Sequence, residues 1–508
     1  MAMGKRKRHR QASLWVETAR LTKGPAHPFY RRLNQILGQH GFDGYVERAC
    51  QEFYADKLGR PSLPPAVYFR LLLIGYFEGI DSERGIAWRV TDSIALRDFL
   101  GYSLADATPD HSTVSRNRRL IDLQTHQEVF TWVLQVLAKS GLLRGETLGV
   151  DATTLEANAA LRSIVRRDTG ESYKEFLTRL AQASGIETPT RAELARLDRE
   201  RPKKGSNDDW QHPQDPDARI TKMKDGRTHL AHKAEHAIDM ETGAVVAVTV
   251  QPADRGDPAS LEETVAEAMD TLADVSEDDQ AAEGLGNEVL SELVADKGYH
   301  SNAVLTGRQE LGIRTYISEP DRGRRRWRRK RAEQRATYAN RRRIRGERGK
   351  RLLRRRGELL ERSFAHCYDT GGMRRVHLRG RLNIAKRLLV QAAAFNLGLL
   401  LRRHLGTGKP RSLRRAGVSS LWAHFFAWIV AWKARSRSWV RKLVTSTPVC
   451  SLSISSWSPS LLVQVFVDTR SRAPAAAAEA GWSGCKSGGP PLAALHVNDR
   501  WARTGKDP

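Results

Sequence analysis

Hydrophobic residues in the N-terminal part of the chain recur at every third or fourth position, which is the spacing of one helix face. The stripe from Tyr30 to Leu37 predicts one helix, and the apolar run 67–76 predicts another. Ser93 stands where it would cap a further helix. The pattern predicts a compact, all-helical domain over 29–135, preceded by a basic tail over 1–28.

Beyond residue 140 the pattern changes to short apolar runs and to alternation of apolar and polar positions, which is typical of strands. The predicted strands are 142–151, 229–239, 244–250, 292–296 and 314–318. Helices over 258–273 and 302–312 separate the later strands. Three antiparallel strands that are continued by parallel strands with crossover helices predict an α/β fold with a ribonuclease-H-like mixed sheet.

The sheet belongs to a predicted catalytic domain over 140–405. This domain contains a charged helical insertion over 160–220 and an Arg-rich helix over 322–361. An apolar helix over 382–405 is expected to pack on the sheet. After residue 408, tryptophans lie among Ser, Pro, Ala and Gly without periodicity, so we predict that 408–508 is an atypical, disordered tail.

The composition restricts the class of partner. The chain has 508 residues, with 84 Lys and Arg against 58 Asp and Glu, and a formal net charge of +26. Such an excess favours a polyanion, of which nucleic acid is the most common, although a membrane surface would also tolerate it. The four cysteines show neither metal-ligand nor disulfide spacing, and the N-terminus lacks the apolar core of a signal peptide. We therefore expect a cytoplasmic protein.

Two apolar runs each end in a carboxylate. Asp151 follows Leu148-Gly149-Val150, and Asp296 follows Leu293-Val294-Ala295. If the two strands are neighbours, their ends place both carboxylates within reach of one ion. A third acid could come from a helix packed across them, where Glu358 and Glu361 are both candidates. A single Asp after a strand is more often a cap or turn former, so the hypothesis rests on the combination.

Three carboxylates around two divalent cations suit phosphodiester chemistry. One ion activates the attacking oxygen and the other stabilises the leaving oxygen of an in-line displacement. Hard oxygen ligands favour Mg²⁺ or Mn²⁺. The acids therefore predict a site for two such ions.

Basic residues for DNA binding lie in several segments. The helix that begins after Thr108-Pro109-Asp110 carries polar and basic residues suited to phosphates and base edges, although a solvated surface helix would look the same. A later basic run is interleaved with Trp327 and Tyr338. The DNA-binding candidates are Ser112, Arg116, Arg118, Arg119, Lys297, Arg325, Arg326, Arg328, Arg329, Arg374 and Arg375. Neutralisation of phosphates by these residues predicts an affinity that falls steeply with salt.

Several motifs in combination resemble the DDE transposases of bacterial insertion sequences. They are Gly149–Thr153, Asp217–Arg219, Ala295–Tyr299, Glu361–Phe364 and Gly371–Gly380, with Asn383. The resemblance covers roughly residues 29–405. It implies DNA cleavage and strand transfer at terminal inverted repeats, with Asp151, Asp296 and Glu361 as the catalytic residues that bind Mg²⁺ or Mn²⁺.

Some relatives carry a Tyr, Arg, Glu, Lys signature on the last helix of the site, and Glu361 fits the Glu of that signature. The other three positions hold Arg354, Gly357 and Tyr368. The choice between Glu361 and Glu358 therefore stays open, although the spacing to Phe364 and Arg374 favours Glu361.

The same resemblance implies the partners of the protein. These are double-stranded DNA, as transposon ends and as target, and further copies of the chain, in a homodimer or larger synaptic complex near the nucleoid. No membrane is expected. Two alternatives are a catalytically degenerate protein that binds transposon ends without cutting them, and a metal-dependent nuclease without strand transfer.

Overall fold

The computed structural model describes residues 27–55, 62–201, 205–223, 226–321, 323 and 325–413. The predicted basic tail and the predicted disordered tail lie almost wholly outside these residues.

Helices form the N-terminal part of the described chain. They are α1 (Pro28–Gln39), α2 (Phe42–Ala49), α3 (Pro65–Glu78), α4 (Glu83–Thr91), α5 (Ile94–Phe99), α6 (His111–Leu120) and α7 (Leu123–Lys139). Prolines begin α1 and α3, where the missing N–H has no helical partner to lose. The Ser93 hydroxyl accepts a hydrogen bond from the Leu96 N–H at 3.4 Å and caps α5, as predicted. The predicted helical N-terminal region is confirmed.

A mixed sheet follows. The strands of this part of the chain are β1 (Thr147–Glu156), β2 (Val165–Arg166), β3 (Trp210–Gln211), β4 (Arg219–Lys222), β5 (Thr228–Asp239), β6 (Val245–Pro252), β7 (Glu292–Ala295) and β8 (Arg314–Ile317). The main sheet has the order β4-β5-β1-β7-β8, and β6 also pairs with β5. β5 is antiparallel to β1, β4 and β6, whereas β7 and β8 continue the sheet in parallel. The predicted mixed sheet is confirmed, while β2 and β3 form a separate pair.

The first strand differs from its prediction over 142–151. It begins at Thr147 and runs to Glu156, because the long neighbour β5 pairs with it as far as Glu156 and Ala231. Asp151 therefore lies within β1 rather than at its end, whereas Asp296 directly follows β7 as predicted.

The remaining helices surround the sheet and the insertion. They are α8 (Tyr173–Ala183), α9 (Arg191–Glu200), α10 (Asp257–Ser276), α11 (Asp279–Ala282), α12 (Asn302–Glu310), α13 (Arg331–Arg345), α14 (Glu347–Phe364) and α15 (Arg381–Leu405). The segment predicted as one Arg-rich helix over 322–361 is thus two helices, separated at Gly346. One π-helical turn, Ala365–Asp369, follows α14.

One hydrophobic core joins the N-terminal helices to the sheet. Its buried side chains run from Phe29 in α1 to Leu401 in α15. Helix α15 packs against α3, α7 and β6, and so lies between the two parts. It is long and apolar enough to cross a membrane, but its most apolar window is 94% buried, as in a core helix.

Candidate active site

The strand register places Asp151 and Asp296 side by side. Val150 in β1 pairs with Ala295 in β7, so that the next residue along the chain after each of them is one of the two aspartates. Side chains that are opposite in register project from the same sheet face. His236 in β5 is opposite Asp151 and packs on Phe364 of α14, with 4.9 Å between the ring centroids. The two aspartates therefore share the sheet face that α14 covers.

Arg356 of α14 lies between the two carboxylates. Its Nη1 is 2.8 Å from Oδ2 of Asp151, and its Nη2 is 3.9 Å from Oδ1 of Asp296. The Arg356 side chain is 12% exposed, against 30% for Asp151 and 50% for Asp296. A single guanidinium thus supplies positive charge to both acids.

The electrostatics of the pair explain why it needs this cation. Burial raises the pKa of Asp151, and the negative charge of Asp296 raises it further. Arg356 and the backbone N–H of Ala152, which donates to Asp151 Oδ1 at 2.8 Å, act in the opposite direction. A positive charge between the acids therefore stabilises the ionised form of Asp151.

Neither candidate for the third acid joins the pair. Helix α14 turns Leu352, Arg356 and Leu360 toward the sheet, whereas Glu358 and Glu361 are exposed. At 3.6 residues per turn, the two glutamates lie on the side of the helix opposite Arg356. Among the described residues, no three His, Cys, Asp or Glu side chains are grouped closely enough to hold a metal ion. The structure brings together Asp151 and Asp296, but not Glu361 or Glu358.

Arg356 is the residue that sequence reasoning missed. Within the run Arg354-Arg355-Arg356 it looks like one more solvated cation. Its position four residues after Leu352 and four before Leu360 was an available signal, since that spacing places it on the apolar face of the helix.

A buried polar network anchors the turn that carries Asp296. The Tyr299 hydroxyl donates to Glu235 at 2.6 Å, and Ser260 of α10 donates to the same carboxylate at 2.9 Å. Lys233 lies 3.9 Å from Glu235 and 2.6 Å from Asp257. The turn after β7 is thereby fixed to both β5 and α10.

The acid of the Asp217-Ala218-Arg219 motif has a structural position. Asp217 Oδ2 accepts a hydrogen bond from the Arg381 N–H at 3.0 Å, and Asp215 Oδ1 accepts one from the Gly380 N–H at 3.2 Å. These N–H groups begin α15, where helical donors lack partners within the helix. Asp217 therefore caps the core helix.

The predicted DNA-binding helix α6 presents most of its candidates to solvent. Ser112, Arg116 and Arg119 are exposed. Arg118 is only 8% exposed and pairs with Glu83 at 2.8 Å. The guanidinium of Arg118 thus joins α6 to α4 and is not presented at the surface, in contrast to the prediction.

Other candidate cations lie beside the aspartates. Lys297 is exposed and directly follows Asp296. Arg374 donates to the Thr153 hydroxyl at 2.9 Å, two residues beyond Asp151 on the same face of β1. Arg375, which is largely exposed, lies 3.6 Å from Glu156 at the end of the same strand.

The basic segment after β8 lies at the same edge of the sheet. Arg325 pairs with Glu319 at 3.0 Å, and its guanidinium lies 4.7 Å from the centroid of the Trp327 ring. Arg326, Arg328 and Arg329 of this segment are exposed. Positive charge therefore lies near the carboxyl ends of β7 and β8.

Comparison with protein families identifies both parts of the chain. A model described as a transposase domain (DUF772) matches residues 19–120, and one described as a transposase DDE domain matches residues 198–397. The second match includes Asp296 and Glu361 but begins after Asp151. No curated protein and no solved structure matches the chain. Taken with the paired aspartates, the two matches show that the chain belongs to the DDE transposases of insertion sequences.

Proposed function

We propose that this transposase cleaves DNA and transfers its strands at the terminal inverted repeats of an insertion sequence, in a metal-dependent reaction. The observation that carries the proposal is that Asp151 and Asp296 directly follow the paired residues Val150 and Ala295 and lie beside the same guanidinium. Exposed cations at the same edge, among them Lys297 and Arg326, suit the phosphates of a DNA strand.

The paired carboxylates fit a hard divalent cation. Mg²⁺ is commonly held by one or two carboxylates, with waters and substrate phosphates as the other ligands. The position between Asp151 and Asp296 already holds one positive group, the Arg356 guanidinium. Mg²⁺ or Mn²⁺, as two ions, would supply activation of the attacking oxygen and stabilisation of the leaving oxygen. We propose Glu361 as the third ligand, from its spacing to Phe364 and Arg374; because α14 turns this exposed side chain away from the pair, the helix would have to rotate for Glu361 to bind the metal ion.

The protein's own residues position these groups. Asp151 is held within β1 between two paired strands, and Asp296 is held by the turn that Tyr299 anchors. Burial lowers the pKa of His236 to about 3, so this histidine stays neutral and holds α14 through Ser363 at 3.1 Å. We propose that Lys297, which follows Asp296, and Arg374, which contacts Thr153 of β1, bind phosphates of the DNA strand.

The proposed partners are duplex DNA and further copies of the chain. Strand transfer requires two ends and a target to be held together, which favours a homodimer or larger assembly in the cytoplasm, at the nucleoid. Exposed Arg116 and Arg119 of α6 provide a second, separate contact for the end sequence.

A strand-transfer assay tests the proposal. The full chain is incubated with Mg²⁺ and duplexes that carry candidate repeat ends, beside Asp151→Asn, Asp296→Asn and the control Asp270→Asn on the exposed face of α10. Loss of either ligand should lower cleavage by about 100-fold or more, since each removes charge stabilisation worth several kcal/mol. Cleavage that survives both substitutions would refute the site.

The same assay separates the alternatives. Binding of ends without any cleavage would identify a catalytically degenerate DNA-binding protein, a possibility that the exposed positions of both glutamates favour. Cleavage without joined products would identify a nuclease. Glu361→Ala and Glu358→Ala, assayed side by side, decide which glutamate is the third ligand.

A further inference from the structure

We infer that Arg356 is the resident counter-cation of the aspartate pair, and that a divalent cation binds only by displacing its guanidinium. The inference rests on the proposed metal site. It assigns to Arg356 a positioning role, in which the residue holds the two carboxylates ready in the metal-free protein.

The distances make Arg356 and a shared metal ion competitors for the same two carboxylates. Arg356 Nη1 lies 2.8 Å from Asp151, and Nη2 lies 3.9 Å from Asp296. A magnesium ion needs carboxylate oxygens at about 2.0–2.1 Å and a nearly complete octahedron of ligands. A metal ion shared by both carboxylates would stand where the guanidinium now stands, and the two cations would repel each other. One must therefore leave before the other is bound.

The Arg356 stem crosses β1 at Gly149, which has no side chain. A Cβ atom on Gly149 would lie 3.4 Å from Cγ of Arg356 and 2.6 Å from the sulfur of Met240. The arginine stem therefore packs directly over the backbone of Gly149, where an added methyl group would be in ordinary van der Waals contact with Arg356 and would displace Met240. Among the described residues, Nε of Arg356 is buried without a hydrogen-bond partner, so that the two carboxylates are the groups that hold its charge.

The exchange has a consequence for DNA. While Arg356 is in place, it lowers the repulsion between Asp151 and Asp296 and keeps them within one ion's reach. Once a metal ion takes over that charge, the guanidinium is released beside the site, where it can pair with a phosphate. Metal binding and the presentation of Arg356 to DNA are therefore coupled.

Calorimetric titration of the full chain with Mn²⁺, without DNA, tests the inference. The wild type is compared with Arg356→Gln, Arg356→Lys and Arg351→Gln; Arg351 is exposed on the outer side of the same helix and controls for the loss of one charge. Removal of the competing cation should tighten Mn²⁺ binding about tenfold in Arg356→Gln, equivalent to the loss of one modest charge pair. Arg356→Lys should lie between it and the wild type, and Arg351→Gln should bind as the wild type does.

Thermal unfolding with and without Mn²⁺ tests the inference even if Arg356→Gln is less stable than the wild type. Arg356→Gln without metal should melt below the wild type, because the aspartates then repel, and Mn²⁺ should raise its midpoint more than that of the wild type. Mn²⁺ affinity that is unchanged or weaker in Arg356→Gln would overturn the inference while leaving the metal site intact. If Asp151→Asn does not weaken Mn²⁺ binding to the wild type or to Arg356→Gln, the proposed metal site fails as well.

Discussion

Two glycines near the site have opposite surroundings, although both stand in regular secondary structure. Gly149 lies in β1 under α14, where an added Cβ atom would meet the Met240 sulfur at 2.6 Å. Gly357 lies within α14, and an added Cβ atom there would meet no atom within 4 Å. The close contact with Met240 leaves no room for a side chain at Gly149. At Gly357 there is room, so only the low helix propensity of glycine matters.

Replacing each of these glycines by alanine should change the free energy of unfolding in opposite directions. Gly149→Ala should lower the free energy of unfolding by about 1–3 kcal/mol, because the methyl group would overlap the Met240 sulfur. Gly357→Ala should raise it by about 0.5–1 kcal/mol, because alanine favours the helix and fills open space. Urea unfolding of both variants measures the two effects. Stabilisation by Gly149→Ala would show that the close contact with Met240 does not exist.

At the scale of elements, periodicity predicted which segments fold but not how they face one another. Asp296 was placed correctly because an apolar run and a polar residue mark the end of β7 locally. The extension of β1 beyond Asp151 depends on its long partner β5, which no local pattern reveals. The rotation of α14 that turns Arg356 inward and Glu361 outward is set by packing against the sheet, and the motif that favoured Glu361 carries no information about that rotation.

The start of α15 provides a prediction for one element. Asp217 accepts the Arg381 N–H at 3.0 Å, so Asp217→Ala should lower the free energy of unfolding by about 1 kcal/mol, as loss of a helix cap does. Cleavage by the folded variant should persist, because this carboxylate lies in the cap and not in the aspartate pair. Asp270→Ala, on the exposed face of α10, is the matched control for urea unfolding. A variant of full stability that cannot cleave DNA would instead assign Asp217 to the chemistry.

At the scale of the whole molecule, the helical block and the sheet are joined more closely than the sequence indicated. Composition and the spacing of hydrophobic residues predicted a domain boundary between residues 135 and 140, yet a single hydrophobic core includes residues on both sides of it. Lys386 of α15 donates to the carbonyl groups of Ile121 and Arg118, at 2.7 and 3.1 Å. Such contacts join residues more than 250 positions apart, which is why local patterns could not predict them. We expect both parts to unfold in one transition.

His126 lies in this junction and is fully buried. Its Nδ1 lies 2.6 Å from the carbonyl oxygen of Asp122, and its Nε2 lies 3.1 Å from the Tyr68 hydroxyl. Since a carbonyl oxygen only accepts, Nδ1 carries the proton and Nε2 accepts from Tyr68. Burial, together with the positive charges of Lys386 and Arg118, lowers the pKa of His126 to about 4, although the hydrogen bond to Asp122 acts in the opposite direction.

The depressed pKa predicts acid sensitivity of the shared core. Above pH 6.5, His126 is neutral in both the folded and the unfolded chain. Between pH 6.5 and about 4, this histidine binds a proton in the unfolded chain but stays neutral in the folded chain. This group should therefore reduce the free energy of unfolding by about 1.4 kcal/mol per pH unit in that window. His126→Gln should remove that part of the slope in urea unfolding measured from pH 7 to pH 4.5. Tyr68→Phe should lower stability but keep the slope, and an unchanged slope in His126→Gln would mean that the junction does not bury a neutral histidine.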